Sequence, residues 1–357
     1  MDLNDLRENI NKVDLEILEL IKKRSEFVEM VGHVKNKNSG KIYVPEREKQ
    51  IFDKLISKNS SKLHSESIIS IFTEIISACR SLEKPLMISF LGPEASYTHS
   101  AAIKQLGSSV DFTARTSIDE VFYNVEKGFS DYGVVPIENS TEGAVNYTLD
   151  KFMDSDLKIV AEVEERISHS LLSNSDSLEN ITKVFSHPQA IAQCNRWLLT
   201  NLKNAEIVEV NSTSLAAKLA AETPNSGAIA SKLAATKYHL NILSASIEDS
   251  VSNTTRFLVI GKSLNGPSGH DKTSIMFSPH EHVGTLFNSL KFFYDNNINL
   301  SMIESRPNKK TPWQYIFFID LEGHHSDKSV ESALNGLKEY ANEFKILGSY
   351  PKKSFKS

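Results

Sequence analysis

The stretch Asn253-Thr254-Thr255-Arg256-Phe257 leads straight into the apolar run Phe257-Leu258-Val259-Ile260. Two hydroxyls and a guanidinium at the mouth of a buried strand are a compact means of meeting a carboxylated substrate. The arginine can hold an anion bidentately while a threonine hydroxyl donates to a group leaving nearby. The same residues also suit a plain polar entry to a strand, so the surroundings decide. Outward from this stretch, back to Lys84-Pro85, short apolar runs alternate with helical segments. Strands are predicted at Met87–Leu91, Tyr132–Ile137, Lys158–Glu162, Lys183–Ser186, Glu206–Val210, Gly227–Ala230 and Phe257–Ile260. Helices fit Ser100–Leu106, Ile118–Lys127, Gln189–Thr200, Ser214–Glu222 and Lys232–Tyr238. Such alternation predicts a largely parallel sheet in two lobes with a cleft, where ligands meet strand C-terminal ends and helix N-termini.

Polar clusters fall at those places. Gly92-Pro93-Glu94-Ala95-Ser96-Tyr97 follows one strand, and Pro136-Ile137-Glu138-Asn139-Ser140-Thr141-Glu142-Gly143 ends another. Ser186-His187-Pro188-Gln189 starts a helix with Gln193 one turn inside, and Asn211-Ser212-Thr213-Ser214 starts the next. Each alone suits a helix cap or a turn. Four of them at one edge favour ligand duty.

Upstream, Leu6, Ile10, Val13, Ile17, Leu20, Ile21, Phe27, Val28, Val31 and Val34 recur at helical spacing and predict one long helix. A second helix runs from Pro45 through Ile51, Phe52, Leu55 and Ile56. A third spans about Ser65 to Leu82, with Ile68, Ile69, Phe72, Ile75 and Ile76 inward. Three such helices make a thin core, which an oligomer would remedy. Arg24 and Lys35 lie three turns apart, almost in phase, so their long side chains can converge on a small anion. Arg7 is about 25 Å along the helix from Arg24 and can serve only a second site, which implies a dimer with helices exchanged. The same cations also suit a solvated face.

Downstream, Ser263–Asp271 reads as a linker. Beyond it strand, helix, strand, strand, helix and strand follow at Thr273–Ser278, Gly284–Asn296, Leu300–Ser305, Gln314–Leu321, Val330–Ala341 and Lys345–Tyr350, a ferredoxin-like α+β pattern. His324-His325 reads as an exposed turn, and nothing near it supplies a metal set.

The totals fit an ordinary globular protein: 357 residues, 40% hydrophobic and 24% charged. A net charge of −5 argues against a nucleic-acid partner, and no apolar run approaches a membrane span. Met1-Asp2-Leu3-Asn4-Asp5 lacks a signal-peptide pattern, and the two cysteines, Cys79 and Cys194, fall in predicted helices. Reduced thiols and a cytoplasmic setting are the expectation.

Leu6-Arg7-Glu8-Asn9-Ile10, Arg24, Val31-Gly32-His33-Val34-Lys35 and Pro45-Glu46-Arg47-Glu48 together resemble the all-helical chorismate mutase family over residues 1–85. The resemblance implies that Arg7 and Arg24 hold substrate carboxylates, one of them reaching in from a second subunit, with Arg47 in the same binding set. It implies that Lys35 hydrogen-bonds the ether oxygen of the breaking bond, that Glu48 takes the ring hydroxyl, and that Glu83 is a second donor to the ether. A glutamate donates only while protonated, so mutase activity is expected to fall as pH rises far enough to ionise Glu83. Val44 stands where many relatives carry a carboxylate beside the ring hydroxyl.

The polar clusters and Thr254-Thr255-Arg256-Phe257 resemble prephenate dehydratase over residues 86–262. This implies Thr255 as proton donor to the departing hydroxyl and Arg256 as a carboxylate binder. Asn139, Ser186, Gln193 and Thr213 would hold or orient substrate, with Glu138 in support. Ala95 replaces a glycine common in the family's loop. Gly284-Thr285-Leu286 and Glu304-Ser305-Arg306-Pro307 resemble the ACT domain, over residues 272–351, which senses phenylalanine at a dimer interface.

The implied whole is a multidomain enzyme: an all-α mutase, a two-lobed α/β dehydratase and a ferredoxin-like ACT domain. It would need no metal or organic cofactor. Its partners would be chorismate, prephenate, phenylalanine as inhibitor, and a second copy of itself, with neither nucleic acid nor membrane. Two rivals remain at this stage. One keeps the dehydratase and reduces the helical domain to a dimerising or regulatory role; the other is a non-catalytic, amino-acid-responsive binding protein.

Overall fold

The structure, a computed structural model, describes residues 2–37, 41–250, 252–309, 311 and 313–352, with the backbone alone for residues 35–37. The helical region forms α1 (Leu3–Lys37), α2 (Pro45–Lys58) and α3 (Ser65–Ser81). Pro45 opens α2, where a missing N–H costs nothing. The apolar face of α1, predicted as core, is largely uncovered among the described residues. Leu6, Ile10, Val13, Ile17, Leu20, Phe27, Val31 and Val34 all stand exposed, because α3 reaches only part of so long a helix.

The first lobe contains β1 (Met87–Leu91), α4 (Tyr97–Leu106), β2 (Asp111–Arg115), α5 (Ile118–Lys127), β3 (Tyr132–Asn139), β4 (Gly143–Ala144), α6 (Asn146–Asp154) and β5 (Lys158–Arg166). The chain crosses to a second lobe of β6 (Ser170–Ser173), β7 (Lys183–Ser186), α7 (Pro188–Gln193), α8 (Asn195–Asn201), β8 (Glu206–Glu209), α9 (Thr213–Glu222), β9 (Ser226–Ala230), α10 (Lys232–Tyr238) and β10 (Asn241–Ser244). It then returns to the first lobe as β11 (Thr254–Gly261). Serine hydroxyls at Ser96, Ser117, Ser212 and Ser231 cap α4, α5, α9 and α10. The helix predicted over Gln189–Thr200 is broken at Cys194, whose backbone sits at φ −113° and ψ 12°.

The sheets are mixed, which corrects the largely parallel expectation. The first runs β2-β1-β3-β11-β5, with β4 beside β3, and the second runs β10-β6-β9-β7-β8. Within them β2, β1 and β3 are parallel, as are β9, β7 and β8, while β11 lies antiparallel to both β3 and β5. The physical reason is that β5, β6, β10 and β11 carry the chain between lobes. A strand that changes sheets needs no helical crossover, so nothing forces it parallel. The antiparallel course puts the start of β11 beside the C-terminal end of β3, at the ligand-binding edge.

The C-terminal region forms β12 (Asp271–Pro279), α11 (Thr285–Asp295), β13 (Leu300–Pro307), β14 (Tyr315–Glu322), α12 (Lys328–Tyr340) and β15 (Ala341–Pro351), with sheet order β13-β14-β12-β15. This is the predicted ferredoxin-like pattern. One sheet face is covered by α11 and α12 through Phe293, Leu334 and Leu337. Met276, Phe318, Leu347 and Tyr350 of the other face share a single core with Val135, Ile137, Ile159 and Leu258 of the first lobe. The predicted linker is pinned: Asn265 donates to Val160 O (2.7 Å) and Ser349 O (3.1 Å), and Gly266 N donates to Glu46 Oε1 (3.0 Å). That fold-back also corrects the exposed-turn reading of His324, which is buried with Nε2 3.2 Å from Asn265 O.

At the join, a Cβ on Gly348 of β15 would collide with the Ile159 backbone of β5. Gly348→Ala is therefore expected to destabilise the protein by about 1–3 kcal/mol, the usual cost of overpacking. Thermal unfolding beside wild type checks this, and an unchanged midpoint would contradict such close docking.

Candidate active sites

Strand pairing sets Thr255 opposite Asn139. Asn139 has its amide orientation dictated by the loop that follows it. Its Oδ1 accepts from the backbone amides of Thr141 (2.9 Å) and Glu142 (3.1 Å). Its Nδ2 must then point the other way, donating to Thr255 Oγ1 (2.8 Å) and Asn253 Oδ1 (2.8 Å). Thr255 Oγ1 is thus an acceptor in this bond, and its own O–H is left to donate elsewhere. Asn253 passes the polarity on, donating to Gln193 Oε1 (3.2 Å). His169 Nε2 lies 2.9 Å from the same oxygen, which assigns the proton to Nε2. Tyr97 Oη lies 3.0 Å from His169 Nδ1 and 2.7 Å from Ser168 O, two acceptors that share its single proton. Burial holds His169 below the ordinary histidine pKa and drives Tyr97 well above the tyrosine value, so both are neutral at neutral pH.

This chain of amides and rings joins β3 and β11 of the first lobe to α7 and β6 of the second. A contact from Gln189 Nε2 to Glu142 Oε1 spans the same seam. Ala95 in the neighbouring loop takes φ +61°, the left-handed region that glycine prefers.

The other residues expected here are not all brought together. Ser186 is buried, and its hydroxyl donates to Ile229 O (2.8 Å) within the second lobe. Thr213 opens α9, where Ser212 does the capping by accepting from Leu215 N (3.0 Å). Arg256 requires a correction. Strand alternation turns it to the face opposite Thr255, where Nε lies 2.9 Å from Glu162 Oε2 and Nη1 lies 3.4 Å from Glu138 Oε2. Nη2 meets Asp320 and sits 3.3 Å from Tyr350 Oη, both on the C-terminal sheet. Lys272 Nζ adds a contact to Glu162 at 2.7 Å. Arg256 is therefore committed to protein carboxylates, with Glu138 as one of them. Burial opposes its charge, but Tyr350, Asp320 and Glu162 outweigh that and push its pKa above the ordinary arginine value. Asn253, His169 and Tyr97 were not assigned from sequence, although the period of two already placed Asn253 on the face of Thr255.

In the helical region, the last turns of α3 are where the elements meet. Gly32 of α1 is buried against Glu83, and a Cβ there would come within 3.0 Å of Glu83 Cγ. Arg24, two turns earlier, is half-buried, with Nη1 shielded from solvent and without a hydrogen-bond partner among the described residues. Lys35 lies one turn beyond Gly32, with its side chain outside the described residues. Glu48 pairs with Arg80 (2.7 Å). Arg47 is exposed and reaches Gln50 (3.3 Å), and Arg7 is exposed far along α1, apart from this cluster as its distance requires.

The C-terminal candidates divide between two faces. Gly284 caps α11 at φ +79°, with Thr285 donating to His280 O (2.6 Å) and Leu286 half-buried. Ser305 is exposed, whereas Glu304 and Arg306 lie on the alternate, more covered face of β13. Arg306 is a second correction: it grips Asp150 of α6 bidentately at 2.9 and 3.1 Å, so that arm is spent on the first lobe.

A hydroxyl donor set into the seam of two α/β lobes, with a helical unit that half-buries Arg24, defines a multidomain enzyme suited to anionic substrates. The chorismate mutase type II family matches residues 6–84 and the prephenate dehydratase family residues 88–265. The chain is 48% identical over 355 residues to the bifunctional chorismate mutase/prephenate dehydratase of Aquifex aeolicus (strain VF5), covering 98% of each. It belongs to the bifunctional chorismate mutase/prephenate dehydratase family. Its fold is similar to a prephenate dehydratase from Arthrobacter aurescens solved in complex with L-Phe, with TM-score 0.68, 33% identity, and cover of 74% of this chain and 90% of that one. It is also similar to a protein described as a quorum quenching acylase, GqqA, with TM-score 0.69, 27% identity, and cover of 75% and 98%.

The Arg256 cluster yields a direct test. Arg256→Met leaves Glu162 and Asp320 buried beside Lys272 alone, and removing one partner of a buried pair costs about 3–5 kcal/mol. Denaturant unfolding at neutral pH should show that loss. Wild-type stability in the variant would mean the cluster is not desolvated.

Proposed function

We propose that this protein converts chorismate to prephenate in residues 1–85 and prephenate to phenylpyruvate in residues 86–262. We propose further that residues 272–351 form an ACT domain through which phenylalanine inhibits it. The observation that carries the dehydratase reading is the orientation of Asn139, which leaves the Thr255 O–H free to donate.

In the dehydratase step the ring carboxylate departs as carbon dioxide and its electron pair enters the ring. The opposite hydroxyl departs with a proton and becomes water. Aromaticity drives the reaction, so the protein need only hold the ring and supply a hydrogen bond where charge develops on the leaving oxygen. A threonine hydroxyl is a poor acid, and Thr255 acts as donor or relay. Gln193 and His169 hold the second lobe in register with it. The mutase step is a pericyclic rearrangement, which calls for a compressed conformer and positive potential at the ether oxygen. Arg24, Lys35 and Glu83 are the groups that would meet it, with Glu48 for the ring hydroxyl and Arg47 at the rim. Arg7 would act in the site of a second copy. Neither step needs a metal or organic cofactor.

A homodimer or larger homo-oligomer in the cytoplasm fits the uncovered face of α1. It also fits the exposed aromatic residues Phe287 and Tyr294 on α11, two turns apart. The phenylalanine site would lie beside Gly284, Thr285, Leu286 and Ser305, at the edge that such a partner closes.

The test is a two-stage assay on purified Thr255→Ala beside wild type. Wild type should turn both chorismate and prephenate into phenylpyruvate, with phenylalanine suppressing the output. The variant should lose about 10²–10⁴-fold of prephenate turnover while chorismate still disappears at close to the normal rate. Equal loss of both activities would indicate unfolding, and turnover of neither substrate by wild type would defeat the reading.

A further inference from the structure

Arg80 lies in the last turn of α3, is 4% exposed, and carries a charge for which the reactions above have no use. Its guanidinium makes two polar contacts in opposite directions. Nη1 donates to Glu48 Oε1 of α2 at 2.7 Å, and Nη2 donates to Leu106 O, the last carbonyl of α4, at 2.6 Å. The cation lies 5.1 Å over the ring of Tyr43, itself fully buried and receiving a hydrogen bond from Gln105 Nε2 (2.9 Å). A carbonyl at a helix C-terminus is a natural seat for a cation, since the helix dipole ends there.

We propose that Arg80 is a positioning residue of the mutase site, seated on dehydratase helix α4, so that the dehydratase region completes the mutase region's grip on its substrate. This rests on the reading of Glu48 as the group that takes the ring hydroxyl.

Three features carry it. First, Glu48 reaches the end of α3 from α2, while Glu83 lies just past that end, its N–H donating to Arg80 O (3.0 Å). The residue that fixes Glu48 therefore also fixes its place relative to Glu83. Second, a glutamate has three side-chain torsions, and a carboxylate free to wander is a poor partner for one hydroxyl. An ion pair of this geometry, little exposed to water, selects one rotamer. Third, the far end of the clamp is held outside the mutase region: Leu106 and Gln105 belong to α4, and Tyr43 is packed beneath. Lys49, Lys104 and Glu162 line the small cavity that Glu48 shares with α4 and β5, and Arg80 is bonded to the carboxylate at 2.7 Å.

The test is a double-mutant cycle on the full-length protein, with chorismate and prephenate as separate substrates. Glu48→Gln must first lower mutase kcat/KM, which checks the underlying reading on its own. Arg80→Leu should then raise KM for chorismate about tenfold with a smaller change in kcat, the mark of lost ground-state binding. In the Glu48→Gln background the same substitution should change mutase kinetics less than about twofold, because Arg80 acts through Glu48. Arg80→Lys, which keeps a cation beside Glu48, should recover most of the loss. Prephenate turnover should stay at the wild-type level in every variant, which reports an intact fold. An equal effect of Arg80→Leu in both backgrounds, a parallel fall of both activities, or no effect would each overturn the proposal. If Glu48→Gln has no effect, the role assigned to Glu48 fails, and this proposal fails with it.

Discussion

The dehydratase site depends on the direction in which one amide points. Two backbone N–H groups claim the oxygen of Asn139, so its nitrogen faces Thr255 and Asn253. Each of these bonds contributes only about 0.5–1.5 kcal/mol to stability. Their value lies in direction: an acceptor role imposed on Thr255 Oγ1 leaves one proton to give. The loop that imposes it is itself stitched to β11, with Ser140 N donating to Thr254 O (2.9 Å) and Thr254 N to Ser140 Oγ (3.0 Å). The hydrogen-bond chain then runs through Gln193 into the second lobe, so the polarity of the donor and the alignment of the lobes are set together.

The opposite face of the same strand carries a different burden. Thr255 faces the seam while Arg256, its neighbour, is locked among Glu162, Asp320 and Tyr350 against the C-terminal sheet. One strand therefore touches both the hydroxyl proposed as proton donor and the body proposed to sense phenylalanine. With a shared core and a pinned linker, that body cannot shift without disturbing β11 or breaking buried ion pairs. Arg306 on Asp150 adds a second clasp from β13 to α6.

Much of this was legible in residues alone because local rules carried it. The strand Met87–Leu91 and the helix Ile118–Lys127 fall where periodicity placed them, and the ferredoxin-like order was plain from alternation. Strand direction was not legible. Nothing in the apolar run of β11 says that its neighbours run the other way, because pairing is decided by which lobe the chain returns to. Arg256 was misread for a related reason: the triplet suggested one functional patch, while a period of two sends adjacent residues to opposite faces. His324 seemed exposed because its cover is a distant linker. The charge on Arg80 drew no notice, since its two partners lie 32 and 26 residues away in sequence. The apolar stripe of α1 was read as core, whereas most of it stands exposed among the described residues.

The central claim is that Asn139 makes Thr255 a donor, and an isosteric swap tests it most directly. In Asn139→Asp one carboxylate oxygen can still accept from the Thr141 and Glu142 amides, while the other meets Thr255 as an acceptor and takes up its proton. Prephenate turnover should fall by about 10²–10³-fold, within the range for loss of a positioned proton donor, with chorismate consumption nearly unchanged. Wild-type turnover of prephenate by Asn139→Asp would contradict the account, for it would mean that the direction of that hydrogen bond does not matter.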